Sequence, residues 1–559
     1  MKVIAKLVFV LGVLALSSQV GAQTANQPKK YSKAEILRGT LTPERTWWDV
    51  QRYEIAFKPD FNDKSLAGSN EIAYKVIKAN DGKIQMQIDL QNPLVIDSVI
   101  YNGKKKIAFA KKESVWYLTV PAQKVGETNK VNIFYHGKVH QAIRAPWDGG
   151  FIFGLDSLAR PWMTVACQGL GASIWFPNKD HQSDEPDKGA SLTMTVPDSL
   201  VAVGNGRLVY KKPGTDGTTT YKYNVNSAIN NYCIIPYIGK YVNFNEVYKG
   251  EKGPLDVNYW VLDYNLPKAK TYFPDQVHKM FKAFEHWFGP YPFYEDGYQL
   301  IDASHTGMEH QSAVSYGNNY KFGYRGRDAS GYGWGMKFDF IIIHESGHEW
   351  FGNNITTNDL ADMWVHEGFT NYSETLFVDY HFGEQAGNEY NYGIRKGIRN
   401  DKPIIPDYNV NAQGSGDMYP KGGNMLHSIR HGLNNDVLFR NILRGLNKKF
   451  YHKTVTSAQV EAYISEMAKF NYVKVFDQYL RTTQIPTFNF LVENGKLTYR
   501  YSNSVDGFNM PLTLKDGATV IKLLPTTAAK TLVLKPGEEK LFTVDAIEKM
   551  FYVKAFNAK

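Results

Sequence analysis

The chain has 559 residues, 64 Lys and Arg against 55 Asp and Glu, and a formal net charge of +9. Its cations are scattered, with Lys104-Lys105-Lys106 the longest run. That is a solvated surface and excludes a nucleic-acid footprint. Two cysteines, Cys167 and Cys233, are too few for a disulfide framework in so long a chain. They either pair or stay as two buried thiols, the second being the simpler reading.

Lys2 and Lys6 precede an apolar run from Leu7 to Leu16, and Val20-Gly21-Ala22 ends in small residues. This is the pattern of a secretory signal peptide over residues 1–22. No later stretch approaches eighteen uninterrupted apolar residues, so no membrane span is predicted. No lipid-attachment cysteine follows the leader, the first being Cys167. A periplasmic or extracellular location is therefore expected. Residues 23–45 are polar and read as a flexible lead-in.

From 46 to 248, short alternating stretches such as Leu192, Met194 and Val196 are broken at Asp81-Gly82 and Asn102-Gly103. An N-terminal β domain, sandwich-like or saddle-shaped, is predicted there. After Gly250 the period changes. Val277, Met280, Phe281, Phe284 and Trp287 fall on one face of a helix over Pro274 to Trp287, with Pro274 near its first turn and Gly289 just beyond it. Helical patterns continue to about Thr483, giving a mostly α domain over 249–485. Asn494-Gly495, Asp506-Gly507, Asp516-Gly517 and Pro536-Gly537 then punctuate short apolar runs such as Thr531 to Leu534, which predicts a small C-terminal β-sandwich over 486–559. The fold class is α+β multidomain.

The chemistry concentrates between Phe340 and Glu374. His344, Glu345 and His348 form an H-E-x-x-H pattern, and eighteen residues separate His348 from Glu367. Residues four apart stack on one helix face, so both imidazoles can meet one ion while Glu345 reaches a water beside it. Trp364, Glu367, Phe369, Tyr372 and Glu374 recur at roughly helical spacing, so a second helix can bring Glu367 to the same ion. Two histidines and a carboxylate are a common catalytic Zn²⁺ set with one position open for water. Glu374 falls on the face of Glu367 and is a candidate to orient a ligand histidine.

With these residues and their flanks the sequence resembles peptidase family M1, the zinc aminopeptidases. The family words around the metal signature appear as His348 to Asn353, with Glu349 in place of Gln, and as Trp364 to Phe369. The family's Gly-x-Met-Glu-Asn loop, whose glutamate binds a substrate's free amine, reads here Thr306-Gly307-Met308-Glu309-His310. Phe288-Gly289-Pro290-Tyr291-Pro292 is similar to the segment before that loop. Tyr419-Pro420-Lys421-Gly422 resembles the word whose tyrosine stabilises the tetrahedral intermediate. Gln168, ahead of Pro177 and Asp184-Glu185-Pro186, is similar to a glutamine that reaches from the β domain into the site.

The resemblance implies a thermolysin-like catalytic domain in a three-domain form, one Zn²⁺ per chain on His344, His348 and Glu367, and catalysis by Glu345 and Tyr419. It implies substrate binding by Glu309, Gln168, Gly307 and Met308, and peptide substrates with free N-termini. An endopeptidase, an added epoxide hydrolase activity and a silent peptide-binding scaffold are the alternatives.

Overall fold

The structure is a computed structural model that describes residues 31–558. The signal-peptide reading over 1–22, and the lead-in before Tyr31, lie outside the described residues. Among the described residues no helix is long and apolar enough to cross a membrane.

The described part of the lead-in differs from expectation. Lys33–Gly39 forms helix α1 and Pro43–Thr46 helix α2. The physical reason is a capping box: the Ser32 hydroxyl accepts from the Glu35 N–H, and the Glu35 carboxylate accepts from the Ser32 N–H at 2.7 Å. Tertiary bonds then hold the short helix in place. Arg45 lies fully buried and donates to the carbonyls of Leu37, Arg38 and Thr40 and to the Asp89 carboxylate.

The N-terminal region is β-rich. Trp48–Asp60 lies at the middle of an eight-stranded sheet, antiparallel to Ser65–Val76 and parallel to Ala190–Pro197, with Tyr53 opposite Ala190. Alternate residues Tyr53, Ile55 and Phe57 turn inward, as do Leu192, Met194 and Val196. A four-stranded and a three-stranded sheet add to the same core, which also buries Cys167 and Cys233. Both cysteines are free thiols.

The strand Tyr241–Gly250, grouped by its alternation with the N-terminal region, pairs along its whole length with Gly253–Leu262. It opens a second, five-stranded sheet that continues through Tyr298–Asp302, Val314–Tyr316 and Gly307–Met308. Its first residue Tyr241, with Leu262, Ile301, Ala303 and Ala313, still packs into the first core, while Leu255, Val257, Tyr259 and Val261 turn to the second. Helix α3 runs Leu266–Phe288, longer than the predicted Pro274 to Trp287. Pro267 is the proline of the first turn, where a missing N–H is harmless, and Pro274, expected there, lies inside the helix. It buries Phe273, Val277, Met280, Phe281 and Phe284, and ends at Gly289 with φ 94°.

Helices α4 (Phe340–Gly347), α5 (Trp364–Phe382), α6 (Glu384–Ile394) and α7 (Pro420–Leu433) follow, then three more before Thr482. The C-terminal part holds a four-stranded sheet, a hairpin over Leu512–Leu523 and the helix Val544–Met550. Asn494 and Gly495, at φ 49° and 69°, make the left-handed two-residue turn joining Thr487–Glu493 to Lys496–Ser502. The expected class, β-rich then mostly α then β, is the one observed.

Candidate active site

The site is built on α4. The Asp339 side chain accepts from the N–H groups of Ile341 and Ile342 at 3.0 and 3.3 Å, capping the helix, and Ile341 to Ile343 are buried beneath it. This fixes the helix so that His344 and His348 project one turn apart. Beyond His348 the backbone leaves helical geometry at Phe351 and Gly352. The freed Phe351 carbonyl turns back to lie 3.0 Å from His348 Nδ1. His344 Nδ1 lies 2.7 Å from Glu374 Oε1, and the Tyr390 hydroxyl donates to Glu374 Oε2 at 2.6 Å. With Nδ1–H donating in both rings, both Nε2 lone pairs face inward.

Helix α5 delivers Glu367 in its first turn. Its Oε2 lies 3.3 Å from His348 Nε2 and 3.8 Å from His344 Nε2. Ligand atoms on a tetrahedral zinc are about 3.3 Å apart, given bonds near 2.0 Å. Glu367 Oε2 is buried and accepts no hydrogen bond. An orphaned carboxylate oxygen between two imidazole lone pairs is the donor set a zinc ion takes, so the residues fit the group. A second close grouping, Glu309, Glu345 and His348, shares one of these histidines. There Glu309 is already committed to protein donors, so the first set fits better.

Glu345, on the neighbouring face of α4, is buried. Burial, reinforced by the nearby Glu309 carboxylate, raises its carboxyl above the usual range. Gly307 lies against it: a Cβ there would sit 2.6 Å from Glu345 Oε1 and 2.7 Å from Ile341 Cγ2. Glycine is needed because the strand passes this close.

Glu309 follows in the same loop and is 3 % exposed. Its Oε1 accepts from the Gln168 amide, reaching across from the N-terminal region, and from the Tyr232 hydroxyl at 3.0 Å. Its partners are thus neutral, and among the described residues no Lys or Arg forms an ion pair with it. Burial raises its carboxyl, with His348 opposing. A buried carboxylate without a counter-charge is costly unless a cation comes to it.

Tyr419, just ahead of α7, stacks on His344 with ring centroids 6.0 Å apart. Gln168, Gly307, Met308, Glu309, His344, Glu345, His348, Glu367 and Tyr419 all line one cavity of about 830 Å³. The structure therefore brings every sequence-predicted site residue together. At the two departures in the anchor loop, Thr306 Oγ1 takes the Arg325 guanidinium and His310 Nδ1 meets the Tyr237 hydroxyl at 2.7 Å. Thr306 lines the cavity, whereas His310 is buried behind it.

Sequence reasoning missed Tyr232, and also Glu35, Arg38, Trp147 and Asn411, which line the same cavity. No local pattern marks Tyr232. The capping box Ser32-x-x-Glu35 was a readable signal for α1.

Residues 272–479 match the Peptidase family M1 domain. Among curated proteins, endoplasmic reticulum aminopeptidase 1 of Mus musculus is 23% identical over 286 residues, 48% of this chain and 30% of that protein. Aminopeptidase N of Canis lupus familiaris is 26% identical over 204 residues, 35% of this chain and 20% of that protein. The chain thus spans about a third or less of the length of these relatives. Among solved structures, an M1 zinc metallopeptidase from Deinococcus radiodurans, a mutant bound to a Tyr-Ser-Ala substrate, superposes with a TM-score of 0.66 at 17% identity. That match covers 78% of this chain and 95% of the other, and it shows a shared fold.

Proposed function

We propose, from the premise that residues 272–479 make this chain a member of peptidase family M1, that it is a zinc aminopeptidase removing single residues from peptides with a free N-terminus. The observation that carries this reading is Glu309: a buried carboxylate, held by the neutral donors Gln168 and Tyr232, directly beside the His344–His348–Glu367 set. A protonated α-amine supplies the missing counter-charge by a charge-assisted bond. Held there, the substrate's first peptide bond comes to lie over Glu345.

His344, His348 and Glu367 would hold one Zn²⁺ per chain. When bound, the ion acts as a Lewis acid that makes hydroxide available near neutral pH. Glu345 takes the proton of the attacking water and returns it to the leaving nitrogen, as general base and then general acid. The Tyr419 hydroxyl donates to the oxyanion that develops on the scissile carbonyl, a contact worth on the order of 3 kcal/mol. Gly307 and Met308 form the wall against which the first residue lies.

The test is a pair of reporter amides, alanyl and N-acetyl-alanyl. Acetylation removes the charge and leaves Glu309 buried without a partner, so kcat/KM should fall by roughly 100-fold or more. Equal rates on the two, or cleavage inside an N-blocked peptide, would replace exo-action with endo-action. The proposed place of action is the periplasm or the cell exterior, on the strength of Lys2, Lys6, the Leu7 to Leu16 run and Ala22. N-terminal sequencing of the exported enzyme should begin at Gln23.

A further inference from the structure

Three chain segments far apart in sequence meet at the carbonyl of Gly169, on the wall of the cavity. Arg38 Nη2, from α1, donates to Gly169 O at 2.9 Å, and Asn411 Nδ2 donates to the same oxygen at 2.9 Å. Arg38 Nη2 also lies 3.1 Å from Asn411 Oδ1, which closes a triangle. Both lone pairs of one carbonyl are thus filled by side chains 373 residues apart in the chain. The triangle is braced: Asn411 N–H donates to Glu35 O at 2.9 Å, Thr40 Oγ1 donates to Asn409 O at 3.1 Å, and Arg38 Nε lies 3.7 Å from Asp180 Oδ2.

Gly169 follows Gln168 in a tight turn. Leu170 N–H donates to Gln168 O at 2.8 Å, Gly171 N–H to Cys167 O at 2.7 Å, and the Gln91 amide to Leu170 O at 2.8 Å. Gly171 has φ 96°, and a Cβ there would run into Asp180 Oδ2 and Arg38 Nη2. Little in this turn can shift without moving Gln168, and the Gln168 amide is one of the two side-chain donors that hold Glu309 Oε1.

We infer that Arg38 and Asn411 are positioning residues for amine recognition: by pinning the Gly169 carbonyl they hold the Gln168 turn so that its amide fixes Glu309. The inference rests on the aminopeptidase reading. It gives α1 a part in the site, as one wall of the cavity and as the clasp that ties the N-terminal region to the 409–411 loop.

The test is a double-mutant cycle on the full-length enzyme with alanyl reporter amide, separating KM from kcat. Arg38→Ala and Asn411→Ala should each raise KM roughly fivefold with kcat within about twofold, and Arg38→Lys should recover part of the loss. Arg38→Ala combined with Gln168→Ala should be no worse than Gln168→Ala alone, since both act through one amide. A purely structural tie would lower the melting temperature and the amount of active enzyme, leaving KM in place. Unchanged KM in both single variants, or full additivity with Gln168→Ala, overturns the inference. If Arg38→Ala does not fold, Asn411→Ala and Arg38→Lys carry the same comparison. A wild-type enzyme that fails to distinguish free from acetylated substrate overturns the aminopeptidase reading itself. One that distinguishes them, with variants of unchanged KM, overturns this inference alone.

Discussion

Glu349 Oε2 lies 3.0 Å from the Tyr291 hydroxyl, which also lies 3.1 Å from the carbonyl oxygen of Gly297. One phenolic proton cannot serve two acceptors. A neutral Glu349 resolves this: its acid O–H donates to Tyr291, Tyr291 donates to Gly297, and Oε1 accepts from the Ser312 N–H at 2.9 Å. Burial pushes this carboxyl up to about 8, in the same sense. Glutamine, the residue of the resembling family word, can make the same bonds through its NH₂ group.

That fixes the sign of a stability effect. An unfolded Glu titrates near ~4.3, so between about pH 4 and pH 8 the folded state binds the extra proton and stability falls as pH rises, by on the order of 1.4 kcal/mol per unit. Glu349→Gln has no such titration. It should melt above wild type, with the gap widening from pH 5 to 8 and then levelling off. Calorimetric scans at unit pH steps check this, and a gap that narrows with rising pH contradicts it.

Replacement of Glu345 by Gln keeps the shape of the side chain and removes the proton acceptor. Because Glu345 is not one of the set His344, His348 and Glu367, zinc content should stay at one per chain. Turnover of alanyl reporter should drop roughly 10²- to 10⁴-fold, the range for a lost general base. Metal analysis beside steady-state kinetics reads both quantities. Near-normal turnover would move the base to another group.

Part of this site is written locally. His344, Glu345 and His348 share one turn of helix, and Glu367 follows on the next helix, so spacing alone implies their geometry. The anchor loop was legible through its Met308-Glu309 core, and Glu374 through its distance from Glu367. Tyr232 was not, since its bond to Glu309 joins residues 77 apart with no motif around either partner. Arg38 and Asn411 are 373 residues apart, and only tertiary packing brings them together. The fold follows the same division. Hairpin turns such as Asn494-Gly495 announce themselves, whereas the capped helix α1 looked like polar lead-in because it buries none of its own residues and is held by partners elsewhere.

Metal removal should be visible as lost stability. Zinc at a thousandfold excess over its dissociation constant stabilises the state that binds it by about 4 kcal/mol, which shifts a melting midpoint by on the order of 10 °C. Chelator should therefore lower the midpoint of the wild type, and returned zinc should restore it. His344→Ala should melt low and ignore chelator. A wild type equally indifferent to chelator would remove the metal from this site.

Gly307 gives the sharpest steric test. Its strand passes so near α4 that a Cβ would stand 2.6 Å from Glu345 Oε1 and 2.7 Å from Ile341 Cγ2, closer than real Cβ contacts come. In Gly307→Ala either the anchor strand retreats or Glu345 swings aside, and both displace a reacting group from its partner. A shift of about 1 Å there costs on the order of 10²-fold in rate. The atoms such a Cβ meets first belong to Glu345 and Ile341, not to His344, His348 or Glu367, so zinc content should hold while kcat/KM falls. If Glu345 is the group displaced, kcat carries the loss. If the strand carrying Glu309 retreats, KM rises instead. Steady-state kinetics on a variant with full zinc separates the two, and wild-type values for both would show that the anchor strand has room this geometry denies it.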